Sequence, residues 1–345
     1  MKYTTLPNTD IKVSKICLGT MTFGQQNTES EAHEQLNFAV EKGINFIDTA
    51  EMYSVPGSKE TQGSTERYIG SWLQHQKRGD LVVATKIAGP NPGLSYIRDN
   101  MGFSNEAIDD ALEKSLKRLK TDYVDLYQLH WPDRNANFFG KRNYQHNFNE
   151  KWDDNINEVI EKLDSLVKEG KIRHYGLSNE TSWGVMRHLT ESTNNKLTRC
   201  KTIQNPYSLL NRTFEINLAE ISMRENVGLL AYSPMSFGML SGKYLDGKTP
   251  ENGRLTLFPV FSRYNNNQSL FLTQKYADLA KELNISLAQL ALAFVNQREF
   301  VTSNIIGATT IEQLKENIDS IHVEFSQETL EKIDIIQELQ PNPAP

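Results

Sequence analysis

The chain has 345 residues, a net charge of −6 and two cysteines, a length open to two domains or to one large barrel of alternating strands and helices. It contains no run of five or more Lys/Arg and no apolar stretch near the roughly 18 residues of a membrane span, which excludes the footprint of a nucleic-acid or membrane binder. No apolar segment follows the N-terminal M-K-Y-T-T-L-P, so a reduced, cytoplasmic protein is expected, with Cys17 and Cys200 as buried small hydrophobes.

Residues 3–6 and 11–13 flank the turn cluster P-N-T-D and predict a short N-terminal hairpin. A first core strand at 16–18 ends at Gly19-Thr20. Thr28 with Glu31 reads as a capping box opening a helix that Gly43 stops. The second strand, 45–49, leads through a polar loop to a helix around Tyr68, Ile69 and Leu73. L-V-V-A-T-K-I at 81–87 is a continuous β-rich run of the kind buried on both faces. Ile108, Leu112, Leu116 and Leu119 repeat at helical spacing, and 123–130 supplies a fourth strand. The polar segment 131–155, flecked with Trp131, Phe138, Phe139, Tyr144, Phe148 and Trp152, is longer than packing needs and reads as a functional loop. Asn155 with Glu158 is a further capping pair.

Four more strands follow at 172–179, 202–205, 228–232 and 304–306, with helices around 185–189, 214–223, 274–283, 287–296 and 310–321. Between them, 233–263 forms a second long loop. Eight core strands alternating with helices predict an α/β chain folded as one (β/α)8 TIM barrel over residues 1–345, with an N-terminal β-hairpin and an extra C-terminal helix at 330–339. The P-N-P-A-P tail within 340–345 is expected to be mobile.

Asp48 ends the second strand, Lys86 the third and His130 the fourth, while Tyr53 lies on the loop just beyond Asp48. A lysine at a strand end is commonly a solvated cap, and a lone histidine is commonly structural. In a barrel, however, those ends converge on one face, and four complementary polar groups at corresponding places point to chemistry. A carbonyl receiving an electron pair becomes an alkoxide, and a donor must meet that charge. Tyr53 suits the role if a cation assists it. Moving a phenol from about 10 to near 7 needs roughly 4 kcal/mol, which an ammonium about 4 Å away supplies at an effective dielectric near 20. Lys86 is that cation; Asp48 would hold it charged and aimed, and His130 would orient the carbonyl.

I-D-T-A-E-M-Y, A-T-K, Y-Q-L-H-W-P, G-x-S-N, the strand ending in Gln204, A-Y-S-P-M-x-x-G-x-L-x-G-K-Y and I-G-A-T-T-x-x-Q-L-x-E-N together resemble the aldo-keto reductases along nearly the whole chain. The resemblance implies NADPH (NADP) as cofactor and a small aldehyde or ketone as substrate, reduced to an alcohol. It further implies that Ser178, Asn179 and Gln204 bind the nicotinamide carboxamide, that Tyr232 stacks on its ring, and that Gly19, Thr20 and Met21 line the cofactor beside them. Ser233, Pro234 and Met235, with Gly238, Leu240 and Lys243, would wrap the pyrophosphate. Thr309, Gln313, Glu316 and Asn317 would hold the adenosine end, with Arg263 on the 2′-phosphate. Plain helix capping also explains Thr309 and Thr310. Many relatives carry a lysine before the Ser/Thr of the last motif, whereas Gly307 and Ala308 stand here.

No G-x-G-x-x-G follows a strand, and neither G-x-S-x-G nor H-E-x-x-H occurs, so Rossmann, hydrolase and zinc-protease readings have no support. His130 with Asp133 is too small a set for a metal. The alternative in another class is a cofactor-binding, redox-sensing regulatory subunit resembling the β subunits of potassium channels.

Overall fold

Alternation along a strand sorts side chains to the two sides of a closed sheet. The computed structural model, which describes residues 1–345, pairs β1 (Tyr3–Thr5) with β2 (Lys12–Ser14) in an antiparallel hairpin. It then closes eight parallel strands into a barrel: β3 (Ile16–Gly19), β4 (Phe46–Asp48), β5 (Val82–Ile87), β6 (Val124–Leu129), β7 (Ile172–Ser178), β8 (Thr202–Pro206), β9 (Gly228–Tyr232) and β10 (Val301–Ile306). Strand β10 bonds both β9 and β3, which closes the ring. The (β/α)8 barrel, its hairpin and the extra helix Gln327–Leu339 match the expectation. No helix is long and apolar enough to cross a membrane.

Inside the barrel, Cys17, Phe46, Val82, Ala84, Leu126, Leu230 and Ile305 pack with Leu6, Ile11 and Val13, so the hairpin plugs one end. The outward set, including Ile16, Leu18, Ile47, Val83 and Tyr127, joins the helices in the larger core. Two residues beyond an inward side chain lies another inward one. Asp48 follows Phe46, Lys86 follows Ala84 and Gln128 follows Leu126, so the interior turns from apolar to polar within one step.

Helix starts obey their caps. Thr28 and Glu31 satisfy each other's backbone donors at the start of Glu29–Glu41, and Ser104, Thr181 and Thr310 cap later helices. Asn155 does not cap: its backbone is not extended, and its Nδ2 donates to Asp133 at 3.3 Å. The helix expected at 214–223 is broken into a turn, Thr213–Glu215, and a helix, Leu218–Glu225. Glu215 is drawn aside by Arg212, 2.8 Å away, and by the Tyr207 hydroxyl, while Phe214 packs on Phe300.

The tail is not mobile. Ala344 is fully buried and its N–H donates to the Leu210 carbonyl at 3.2 Å. Arg142 and Asn266 donate to the Pro343 carbonyl at 3.1 and 3.3 Å, and Asn342 Oδ1 accepts from the Arg212 N–H at 2.6 Å. Loop 131–155 divides: Trp131 is buried against Phe139, 5.7 Å between rings, whereas Tyr144 and Phe148 face solvent. Deleting residues 340–345 strips partners from four polar groups and should cost roughly 2–6 kcal/mol at about 0.5–1.5 kcal/mol per net hydrogen bond. Urea unfolding checks this; an unchanged midpoint would mean the strap is energetically idle.

Candidate active site

Asp48, Lys86, Gln128 and Gln204 meet where the polar layer of the interior begins. Lys86 Nζ donates to Asp48 Oδ1 at 2.5 Å and to the Thr49 carbonyl at 2.7 Å. Asp48 Oδ2 accepts from Gln204 Nε2 at 2.8 Å and Gln128 Nε2 at 3.1 Å. Both oxygens are therefore engaged, as a buried carboxylate requires. Tyr53, on the loop after β4, lies over this floor with the Lys86 ammonium 5.1 Å from its ring centre.

Burial pushes the Tyr53 phenol up, and Lys86 pulls it down without overcoming that push, because Asp48 acts in the opposite sense. The cation alone would lower the phenol, as expected from the sequence, but desolvation and the second charge outweigh it. Tyr53 is thus a protonated phenol at neutral pH. Burial alone would depress Lys86, yet the charge and hydrogen bond of Asp48 work against it, and the amine stays above its ordinary value. His130 sits 5.8 Å from the Tyr53 ring in an edge-on arrangement, and its Nδ1 has no partner in the protein. Burial, and then repulsion from Lys86, hold its imidazole well below the usual value, so it is neutral.

These groups open on a cavity of about 710 Å³. At one end Ser178 Oγ donates to the Gln204 carbonyl, and Asn179 Nδ2 donates to the His130 carbonyl, both at 2.9 Å. The Tyr232 hydroxyl donates to Asn179 Oδ1 at 2.6 Å. Gly19, Thr20 and Met21 form the adjoining wall. At Gly19 a Cβ would fall 2.7 Å from Ile305, so that wall is set by backbone. The chain after β9 passes through left-handed conformations at Ser233, Ser236, Phe237 and Gly238. Ser233, Pro234, Met235, Gly238, Lys243 and Arg263 consequently line the cavity. Leu240 does not: it is fully buried in the core, and Phe237 takes the lining position.

Thr309, Gln313, Glu316 and Asn317 line the far end. Capping accounts for part of them, since Thr310 caps the helix Ile311–Asp319 and Gln313 Oε1 accepts from the Thr309 N–H at 3.0 Å. Sequence reasoning missed Gln128, whose inward phase in β6 was a usable signal, and Arg142 and Arg254, which no periodicity marks; Phe139, from the loop expected to be functional, also lines the cavity. It also missed Glu51, which accepts from the Ala88 N–H at 2.7 Å and from Arg98 Nη1 at 2.9 Å.

The model of the aldo/keto reductase family matches residues 15–338. The chain belongs to the aldo/keto reductase family. It is 48% identical to "Protein tas" of Escherichia coli (strain K12) over the whole of both chains. It is 34% identical to "Uncharacterized oxidoreductase YrpG" of Bacillus subtilis (strain 168), over 97% of this chain and 96% of that one. It is also 30% identical to a "Probable voltage-gated potassium channel subunit beta" of Arabidopsis thaliana, over 94% and 92%. Aldo/keto reductases are oxidoreductases that act on small carbonyl compounds with nicotinamide cofactors.

A buried neutral imidazole couples this reductase fold to pH. The unfolded chain takes up a proton at His130 below about pH 6.5, and the folded chain does not. Stability therefore falls as pH falls through that value, by up to about 1.4 kcal/mol per pH unit from this group. Burial also depresses His174 and His188, so urea unfolding between about pH 6.5 and 5 should show their joint slope, and His130→Gln should reduce it by about a third. An equal slope in the variant would mean His130 charges in the fold.

Proposed function

We propose that the protein is an NADPH-dependent carbonyl reductase in which Tyr53 donates the proton. The observation that carries this is the Tyr53 phenol over a buried Lys86–Asp48 pair on the floor of an open cavity. The cavity suits a nicotinamide dinucleotide. Gln204 Oε1, free of any protein donor, could accept from a carboxamide. Lys243 and Arg263, cations with no acidic partner, suit phosphates. Tyr232 offers a ring face, though its hydroxyl is tied to Asn179.

A reduced nicotinamide, when bound, supplies the electron pair and its hydrogen to the carbonyl carbon. The chain does the rest. Neutral His130 can donate a hydrogen bond to the carbonyl oxygen and fix its position without adding charge. As negative charge grows on that oxygen, the Tyr53 hydroxyl gives up its proton to it. The ammonium of Lys86 stabilises the resulting phenolate, and Asp48 with Gln128 and Gln204 keeps the ammonium in place.

Tyr53→Phe removes one hydroxyl and leaves the proposed cofactor contacts intact. Aldehyde reduction should fall by about 10²-fold or more while NADPH affinity holds. Lys86→Met should lower it through the Tyr53 pKa, and the double variant should lose little beyond the worse single one. Near-wild-type turnover of Tyr53→Phe would hand the proton to His130 instead. For the cofactor, Arg263→Ala should weaken NADPH by about tenfold or more and NADH little. Equal dissociation constants for both in the unaltered protein, by fluorescence titration, would remove the 2′-phosphate reading.

A further inference from the structure

The ladder between β4 and β5 runs on past the last residue of β4. The Thr49 N–H donates to the Ala84 carbonyl at 2.9 Å and the Glu51 N–H to the Lys86 carbonyl at 3.2 Å. In a parallel pair the next donor, the Ala88 N–H, would be met by the Glu51 carbonyl. That carbonyl instead accepts from Gln62 Nε2 at 2.6 Å, and the Ala88 N–H goes to the Glu51 carboxylate at 2.7 Å. The side chain thus completes the rung that the main chain has given up. The main chain is free to leave the sheet, and two residues later it presents Tyr53.

This carboxylate is not exchangeable with solvent. Glu51 and Arg98 are 1% and 5% exposed, and neither lines the cavity. Arg98 Nη1 donates to one carboxylate oxygen at 2.9 Å, and Nη2 bonds the other, so the guanidinium fork fixes the plane of the carboxylate as well as its charge. Beyond Glu51, the Tyr53 N–H donates to the Ala50 carbonyl at 3.0 Å and the Tyr53 carbonyl accepts from the Gly63 N–H at 2.6 Å. Met52, between the two residues, packs against the apolar cluster of Ala88, Leu94 and Trp131. The charges that move the Tyr53 phenol are those of Lys86, Asp48 and Arg254, so the hold of Glu51 on it is mechanical.

We propose that Glu51, gripped by Arg98, is a positioning residue that sets the Tyr53 phenol over the Lys86 ammonium by clamping the segment after β4 to the end of β5. This rests on the reading of Tyr53 as proton donor. Proton transfer and stabilisation of the phenolate both depend on placement, and a shift of about 1 Å can cost on the order of 10²-fold in rate. Asp48 holds the ammonium from one side. Glu51 supplies the matching constraint on the phenol, outside the cavity and without touching cofactor or substrate.

Glu51→Gln keeps an oxygen for the Ala88 N–H and removes the charge that holds Arg98. It should lower kcat for aldehyde reduction by about tenfold or more, with KM and NADPH affinity little changed. Introduced into Tyr53→Phe, it should alter the residual rate by less than about twofold, because residues that act as a unit are not additive. A general loosening of the barrel would lower both backgrounds by the same factor. Arg98→Lys, which keeps the cation without the fork, should lose less than Glu51→Gln, and it carries the same comparison if Glu51→Gln does not fold. A fluorotyrosine in place of Tyr53 reads placement without turnover: its fluorine NMR signal, in protein saturated with NADP⁺, should move or broaden in the Glu51 variant. An unchanged kcat, an equal loss in both backgrounds or an unmoved fluorine signal overturns the proposal. Near-wild-type turnover in Tyr53→Phe together with a displaced fluorine signal would support the clamp and sink only the proton-donor reading.

Discussion

The buried pair between Lys86 and Asp48 constrains everything above it. Two charges removed from water gain little net stability from each other, but removing one partner leaves an uncompensated charge at a cost of roughly 3–5 kcal/mol. The pair is therefore better understood as a fixed point than as a source of stability. Asp48 completes the fixing with Gln128 and Gln204, which come from two other strands, so three segments distant in sequence are bound to one carboxylate. The phenol of Tyr53 inherits its electrostatic environment from that point.

The outer side of β5 shows how Lys86 is held. Val83, Thr85 and Ala88 each meet a carboxylate: the Val83 N–H donates to Asp125 at 2.9 Å, Thr85 Oγ1 to Glu66 at 2.6 Å, and the Ala88 N–H to Glu51 at 2.7 Å. Each carboxylate is in turn bound by an arginine: Arg78 and Arg173 at Asp125, Arg118 at Glu66, Arg98 at Glu51. Charge-assisted bonds at Val83, at Thr85 and, just past the strand's end, at Ala88 pin it along its length, while its inward positions carry the pocket floor. Burial raises the Glu51 carboxyl and Arg98 works against it, so the loop leading to Tyr53 depends on that arginine. Positioning here is mechanical and electrostatic together.

What the sequence disclosed follows from which signals are periodic. Apolar strand runs recur between helices, so Asp48 and Lys86 could be placed at converging ends from their positions at the close of two such runs. Helices with Ser or Thr caps were legible for the same reason, a local hydrogen bond with fixed spacing. The tail was misread because it is held by single bonds to Leu210, Arg142 and Asn266, none of which has a sequence pattern. Leu240 and Phe237 exchange places because non-glycine residues at Ser233, Ser236 and Phe237 adopt left-handed backbone, a choice set by tertiary packing. The direction of the Tyr53 pKa shift was misjudged since burial enters a pKa only once the fold is known.

Net charge, too, is a poor guide to the local field. The chain carries −6 overall, yet Arg142, Lys243, Arg254 and Arg263 all line the same cavity, and the acids nearest them are committed elsewhere or sit at the rim, like Glu316. A concave site with low-dielectric walls focuses the field of such cations, so an acidic surface and an anion-attracting pocket coexist in one molecule. Lys243 is depressed by burial and then by Arg254. An anion bound beside either cation would therefore lessen their repulsion and favour a second anion beside the other. That reciprocity follows from linkage and makes the cofactor end and the reacting end of the cavity electrostatically dependent on each other.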